Sequence, residues 1–216
     1  MPVPDVSRSR DLATGSQEVI TVSIYHVAAT GIFSIVEPGA SSVITEGTRV
    51  EVLYTIDART LDFYDANDSV DWYRMSVKSA MWNIDTENDG LFDLTAVATR
   101  LGDVYVYEGP NQDADELSVF SYDRVDGFPS NDQLDLAQMD LRSALPNDSL
   151  RDLLMTLANT EASAPINGRV LFGFIADSQL VGAVAPLTDL SVTLVPTPAS
   201  VLLLAAGPLL MRPRRR

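Results

Sequence analysis

Val50-Glu51-Val52-Leu53-Tyr54-Thr55-Ile56 decides the fold class. The run is built from β-branched and aromatic residues and partly alternates, as a strand with one face buried and one in water must. The same texture recurs at Val19-Ile20-Thr21-Val22-Ser23-Ile24-Tyr25, Val104-Tyr105-Val106-Tyr107, Leu117-Ser118-Val119-Phe120-Ser121-Tyr122, Val170-Leu171-Phe172-Gly173-Phe174-Ile175 and Leu187 to Val195. The last four of these runs are each bounded by Gly, Pro, Asn or Asp. Gly109-Pro110, Asp126-Gly127 and Asn167-Gly168 supply turn chemistry between runs. The spacing predicts an all-β domain over residues 19–194, an antiparallel β-sandwich of jelly-roll-like form.

One segment departs from period two. From Asp148 the chain reads Asp-Ser-Leu-Arg-Asp-Leu-Leu-Met-Thr-Leu-Ala, which puts Leu150, Leu153, Leu154 and Leu157 on one helical face with Asp148 as N-cap. A short helix lying across one sheet is expected. The stretch holding Leu134, Leu136, Met139 and Leu141 fits either period. It is read as a strand, because Pro146-Asn147 then breaks the chain before the helix.

Composition narrows the function. With 216 residues and 46% hydrophobic content the chain can bury one good core, and no Pro/Gly/Ser linker divides it. It has no cysteine, hence no disulfide, thiolate metal site or Cys nucleophile. Thirty acidic residues against 15 basic give a formal charge of -15, and four of the arginines sit at the extreme C-terminus, so the body is more negative still. Nucleic acid is not an expected partner, since no basic patch exists to displace counterions from phosphate.

Those arginines end a distinctive tail. Val195-Pro196-Thr197-Pro198-Ala199 leads into an apolar run from Val201 to Met211, including Val201, Leu202, Leu203, Leu204, Leu209 and Leu210. Arg212, Arg214, Arg215 and Arg216 follow. An apolar helix capped by guanidinium groups suits a bilayer, with the positive end held on the cytoplasmic side. The run is short for a span, which takes about 20 apolar residues. The alternative is a buried or amphipathic C-terminal helix, but this run has no polar face.

Val195 to Arg216 resembles the PEP-CTERM sorting signal of bacterial exported proteins, in its Val-Pro-x-Pro-Ala variant. Thr197 stands where the name-giving Glu would be, and Pro208 and Pro213 interrupt the helix and the arginines. The resemblance implies that residues 195–216 hold an exported protein in the inner membrane until an exosortase, a membrane peptidase, cuts near Pro-x-Pro. The domain would then reach the cell surface or the medium. Export needs a leader, and Met1 to Asp11 has no apolar core of that kind. Residues 1–18 are therefore expected to be disordered or truncated, with Met1 not the natural start.

The body carries a second resemblance, in Gly47 to Asp57, Trp72-Tyr73 with Val77-Lys78-Ser79, Leu141 to Pro146 and Leu187 to Thr193. It is similar to a recurrent group of PEP-CTERM-tailed proteins of unknown activity, which implies an all-β extracellular domain and no particular reaction.

Two acidic segments could carry chemistry. In Asp85-Thr86-Glu87-Asn88-Asp89-Gly90-Leu91-Phe92-Asp93, carboxylates at alternate positions and a turn glycine match the first nine positions of a calcium loop, with Asp85, Glu87, Asp89 and Asp93 as ligands. Ala96 stands where the closing Glu would be, and the flanks read as strands. The segment is thus a calcium-stapled β-turn or an acidic hairpin turn. Calcium is the one cofactor this sequence suggests. The second cluster, Asp57, Asp62, Asp65, Asp68 and Asp71 around Phe63-Tyr64 and Trp72-Tyr73, offers carboxylates and stacking faces to a sugar, and paired carboxylates could run glycoside hydrolysis. His26, the sole histidine, lies in an apolar-rich strand and reads as a packed residue. No nucleophile elbow or phosphate-cradling loop is present.

The expectation is a non-enzymatic envelope or extracellular-matrix protein, exported, membrane-held by its C-terminal helix, processed by an exosortase-type peptidase, and binding extracellular polysaccharide or surface proteins. The alternatives are a secreted carbohydrate-active enzyme using the acidic cluster and a calcium-stabilised adhesion module.

Overall fold

The run at Val50 becomes the second wall of a closed cylinder. The computed structural model describes residues 23–60, 70–108, 115–122, 125–129, 133–142, 149–159, 167–176 and 179–195. The strands are β1 (Ile24–Ile32), β2 (Ile35–Val36), β3 (Arg49–Asp57), β4 (Val70–Asp85), β5 (Leu94–Ala98), β6 (Gly102–Glu108), β7 (Asp115–Tyr122), β8 (Val125–Asp126) and β9 (Gln133–Arg142). Helix α1 (Leu150–Asn159) follows, then β10 (Gly168–Ala176) and β11 (Gln179–Val195).

Register joins several of these into single walls. β5 and β6 pair in turn along one edge of β4, and β7 and β8 pair with that broken strand in one unshifted register. β1 and β2 likewise run in succession along β11. Eight walls result, each antiparallel to its neighbours in sequence, and β11 returns to pair with β1 while β1 pairs with β3. The domain is an up-and-down barrel.

This corrects the sandwich. Alternation specifies one apolar and one polar face per strand, and a sheet rolled on itself meets that demand as well as two stacked sheets do. What separates the two is closure, the β1–β11 ladder from Ile24 opposite Val195 to Gly31 opposite Leu187, which leaves the wall no free edge. Local pattern carries no information about that pairing.

An eight-stranded barrel has an interior just wide enough for side chains to fill, and aromatic rings fill this one. Trp82 on β4 is fully buried and meets the edges of Tyr54 on β3 (centroids 6.0 Å apart, planes at 87°) and Phe172 on β10 (6.2 Å, 85°). β4 and β10 face each other across the cylinder, so the Trp82–Phe172 contact spans the lumen. Phe33, Phe128 and Phe174 pack around Phe172. Burial drives the Tyr54 phenol pKa upward, so it stays neutral inside.

The helix forms where expected, with its cap one residue later. Ser149 Oγ accepts from the Asp152 amide at 3.1 Å, an N-cap bond, and donates to the Asp152 carboxylate at 2.7 Å, which orients the hydroxyl. Asp148, the expected cap, lies outside the described residues. Leu150, Leu153 and Leu154 are buried and Leu157 packs against the core. The helix seats at the barrel end where β1 starts and β11 finishes, its Leu150 amide donating to Tyr73 Oη at 3.2 Å and Arg151 and Asp152 lying close to Tyr25. The stretch from Leu134 to Leu141 is strand β9, as read.

The C-terminal apolar helix expected over Val201 to Met211, like residues 1–18, lies outside the described residues. Among the described residues no helix is long and apolar enough to cross a membrane.

Candidate functional site

Tyr105 and Tyr107 stand two apart on β6, with Val104 and Val106 buried between and beside them, so the valines fill the lumen and both tyrosines face outward. The pairing extends this outer face across five walls. Trp72 lies opposite Tyr105, Tyr105 opposite Ser118, Ser118 opposite Asp140 and Asp140 opposite Arg169, one transverse row from β4 to β10. Tyr107, Glu116 and Arg142 form the row on one side, and Asp103, Phe120 and Gln138 the row on the other.

The rings on this face form an ordered stack. Trp72 and Tyr105 are nearly parallel, 7° apart with centroids at 5.7 Å, and Tyr105 and Tyr107 are 20° apart at 6.3 Å. Phe120 meets Tyr105 edge-on at 5.1 Å, and the Arg74 guanidinium sits 5.8 Å over the Trp72 ring. Burial is the largest influence on the Tyr107 phenol, followed by the charge of Tyr105, Asp140 and Glu116. All raise its pKa, so it offers a neutral hydroxyl.

A bulge fixes the stack. The β4–β6 register slips between Tyr73 and Val77, and Met75 within the slip takes a left-handed φ of 56°. Asp103 holds it there, accepting from the Met75 amide at 2.7 Å and from Trp72 Nε1 at 3.1 Å. Ser76 Oγ donates to the Tyr73 carbonyl at 2.8 Å. A strained non-glycine residue pinned by a carboxylate that also orients a tryptophan is a device for aiming side chains. Met75 itself is about half exposed beside the rings.

At the β10 end the row drops into a cleft of about 240 Å³ lined by Glu116, Asp140, Leu141, Arg142, Asn167, Gly168 and Arg169. Asp140 is almost wholly buried. Its Oδ1 accepts from Ser118 Oγ (2.7 Å) and Gln138 Nε2 (2.6 Å), and its Oδ2 from Arg169 Nε (2.9 Å).

The expected site residues scatter by comparison. Asp85 is buried and accepts from the Asp89 and Gly90 amides, Asp93 accepts from the Thr86 amide and hydroxyl, and Asp89 accepts from the Leu91 amide. Three of the four proposed calcium ligands thus tie the turn to itself, with Asn88 and Gly90 at positive φ, while Glu87 stands exposed. Bonds from Thr86 lower the Asp93 pKa. Among the described residues no group of three or more His, Cys, Asp or Glu side chains is placed to hold a metal ion.

Of the acidic–aromatic cluster, Trp72 belongs to the outer stack, whereas Tyr73 points inward and its hydroxyl donates to Asp71 at 3.3 Å. Asp57 is held by Arg59 through two bonds of 2.7 and 2.9 Å, which depress its pKa. Asp62, Phe63, Tyr64, Asp65 and Asp68 lie outside the described residues. His26 stands exposed on β1. Val195 ends β11, and the rest of the tail, Pro196 to Arg216, lies outside the described residues. Tyr105, Tyr107 and Phe120 are not among the residues the sequence marks out, although two tyrosines alternating with two valines are the signal of an aromatic outer face.

No protein-family model matches the chain, and no curated protein or solved structure is significantly similar to it.

Proposed function

We propose that this protein is a non-enzymatic component of the bacterial envelope or its extracellular matrix, exported and sorted through residues 195–216, and that it binds polysaccharide on its outer wall. The observation that carries the binding half is the stack of Trp72, Tyr105 and Tyr107, flanked by planar polar side chains. A pyranose ring presents an apolar C–H face to the electron-rich face of an aromatic ring, while its hydroxyl rim needs amide, carboxylate and guanidinium partners. Gln138, Asp140, Arg142 and Arg169 lie on that rim.

Binding without cleavage fits the state of the carboxylates. Glycoside hydrolysis needs one carboxyl to give a proton and another to attack or activate water. On this face both oxygens of Asp103 are taken by Trp72 and Met75, and both of Asp140 by Ser118, Gln138 and Arg169, which leaves Glu116 as the one carboxylate of these three without a close bond where hydrolysis takes a pair.

The test is retention of the full chain on insoluble matrix polysaccharides, with the supernatant assayed for new reducing ends. Trp72→Ala and Tyr105→Ala are each expected to weaken retention roughly tenfold, since each removes a ring from the aromatic surface and unsettles the rings packed against it. Equal retention by the variants would remove the platform from the account, and new reducing ends would replace binding with catalysis. The sorting half is read separately, by mass spectrometry of the C-terminal peptide from membrane, surface and medium fractions. Loss of Arg212 to Arg216 from the surface form is expected, and an intact tail on a cytosolic protein would refute it.

A further inference from the structure

We infer that the polysaccharide is an acidic one, a polymer carrying carboxylates, and that the cleft beside the aromatic stack receives the carboxylate between Arg142 and Arg169. The inference rests on the binding role proposed for the platform and names the ligand class. Its basis is the uneven use of two guanidinium groups. Arg169 gives only Nε to Asp140, at 2.9 Å, and Arg142 reaches Glu116 through Nη2 alone, at 3.5 Å, the outer limit of a hydrogen bond. Neither has another side-chain partner among the described residues. Both side chains are more than half exposed and both line the same cleft.

Arginine forks match the planar geometry of a carboxylate, and such charge-assisted pairs are about twice as strong as neutral hydrogen bonds. The arrangement is held from beneath. Asp140 is satisfied by Ser118 and Gln138 as well as by Arg169, so it anchors the guanidinium by Nε alone in a side chain that lines the cleft. Register supplies the spacing. Arg169 shares a row with Trp72 and Tyr105, and Arg142 shares the next with Tyr107, so sugar rings lying on the stack direct their substituents along those rows toward the cleft.

A body this negative repels polyanions at long range, so specificity must come from contact inside the cleft. At ionic strength near 0.15 M the Debye length is about 8 Å, and charges elsewhere on the surface are largely screened.

The experiment compares binding of the full chain, at that ionic strength, to a polyuronate and to the same polymer after reduction of its carboxyl groups to alcohols. The unreduced polymer is expected to bind about tenfold more tightly. Arg142→Gln with Arg169→Gln should erase that preference, bringing the affinity for the unreduced polymer down to that for the reduced one, whereas Trp72→Ala should weaken binding to both and leave their ratio in place. Glu116→Gln, which frees Arg142 and removes a competing carboxylate, should strengthen polyuronate binding, a gain that a merely structural role for the arginines would not produce. Equal affinity for the two polymers would overturn the acidic-ligand inference and leave the platform standing. Binding to neither would overturn both.

Discussion

Trp82→Ala is expected to lower the unfolding free energy by about 3–5 kcal/mol, the range for deleting a large buried aromatic, and the melting temperature by on the order of 10 °C. The magnitude follows from where the indole sits. It is fully buried and touches Tyr54 on its own side of the barrel and Phe172 on the opposite wall. A closed cylinder cannot collapse onto a void at its axis as an open sheet can, because each wall is hydrogen-bonded to two neighbours. Trp82→Phe separates two contributions. It restores most of the volume and removes a buried indole N–H that has no partner of good hydrogen-bond geometry among the described residues, the Tyr54 hydroxyl being its polar neighbour. Its cost should stay under about 1.5 kcal/mol, as for other near-isosteric apolar exchanges. Urea and thermal unfolding of the three proteins measure both steps. If the alanine variant matched the parent, the lumen would not be the core.

The second large effect is expected at Gly127→Ala, a loss of about 2–4 kcal/mol from backbone strain and collision together. Gly127 has a φ of +117°, and a methyl group there would meet the Thr95 carbonyl oxygen at 2.2 Å and Ala96 Cα at 2.9 Å. Those atoms belong to β5, which cannot retreat without giving up its pairing to β4. Gly90→Ala is the control. Its φ is +91°, yet nothing lies within 4 Å of the added carbon. Only the conformational penalty of about 1–2 kcal/mol should remain. The difference between the variants, read by urea unfolding, isolates the contact between adjoining strands, and equal losses would argue that φ alone matters.

Sequence made the strands legible because burial on one face writes itself as alternation. Val50, Val52, Tyr54 and Ile56 face the lumen as their spacing requires, and the four leucines of α1 face the core or its margin. Closure was not legible. The pairing of Ile24 with Val195 joins residues at opposite ends of the folded body, and neither residue's neighbours encode the other. The outer aromatic face was half legible for the same reason. Trp72 stands beside aspartates in sequence, but the neighbours it packs against and bonds to are Tyr105 and Asp103, about thirty positions away and brought near only by register. The loop from Asp85 to Asp93 shows the converse. Its spacing matched a ligand set, while the carboxylates are spent on amides of their own turn. Sequence spacing records which groups are available and not where their oxygens point.

The seam between β1 and β11 sets a limit on trimming. Ile24 and Val195 are opposite rungs at the rim from which both ends of the body depart, and Pro196 has no N–H with which to add another. A protease that severs the polypeptide at Pro196 or later takes away no rung of that ladder. One that bites even a few residues earlier begins to unzip the cylinder, so the wall itself sets how short a folded fragment from any such cut can be.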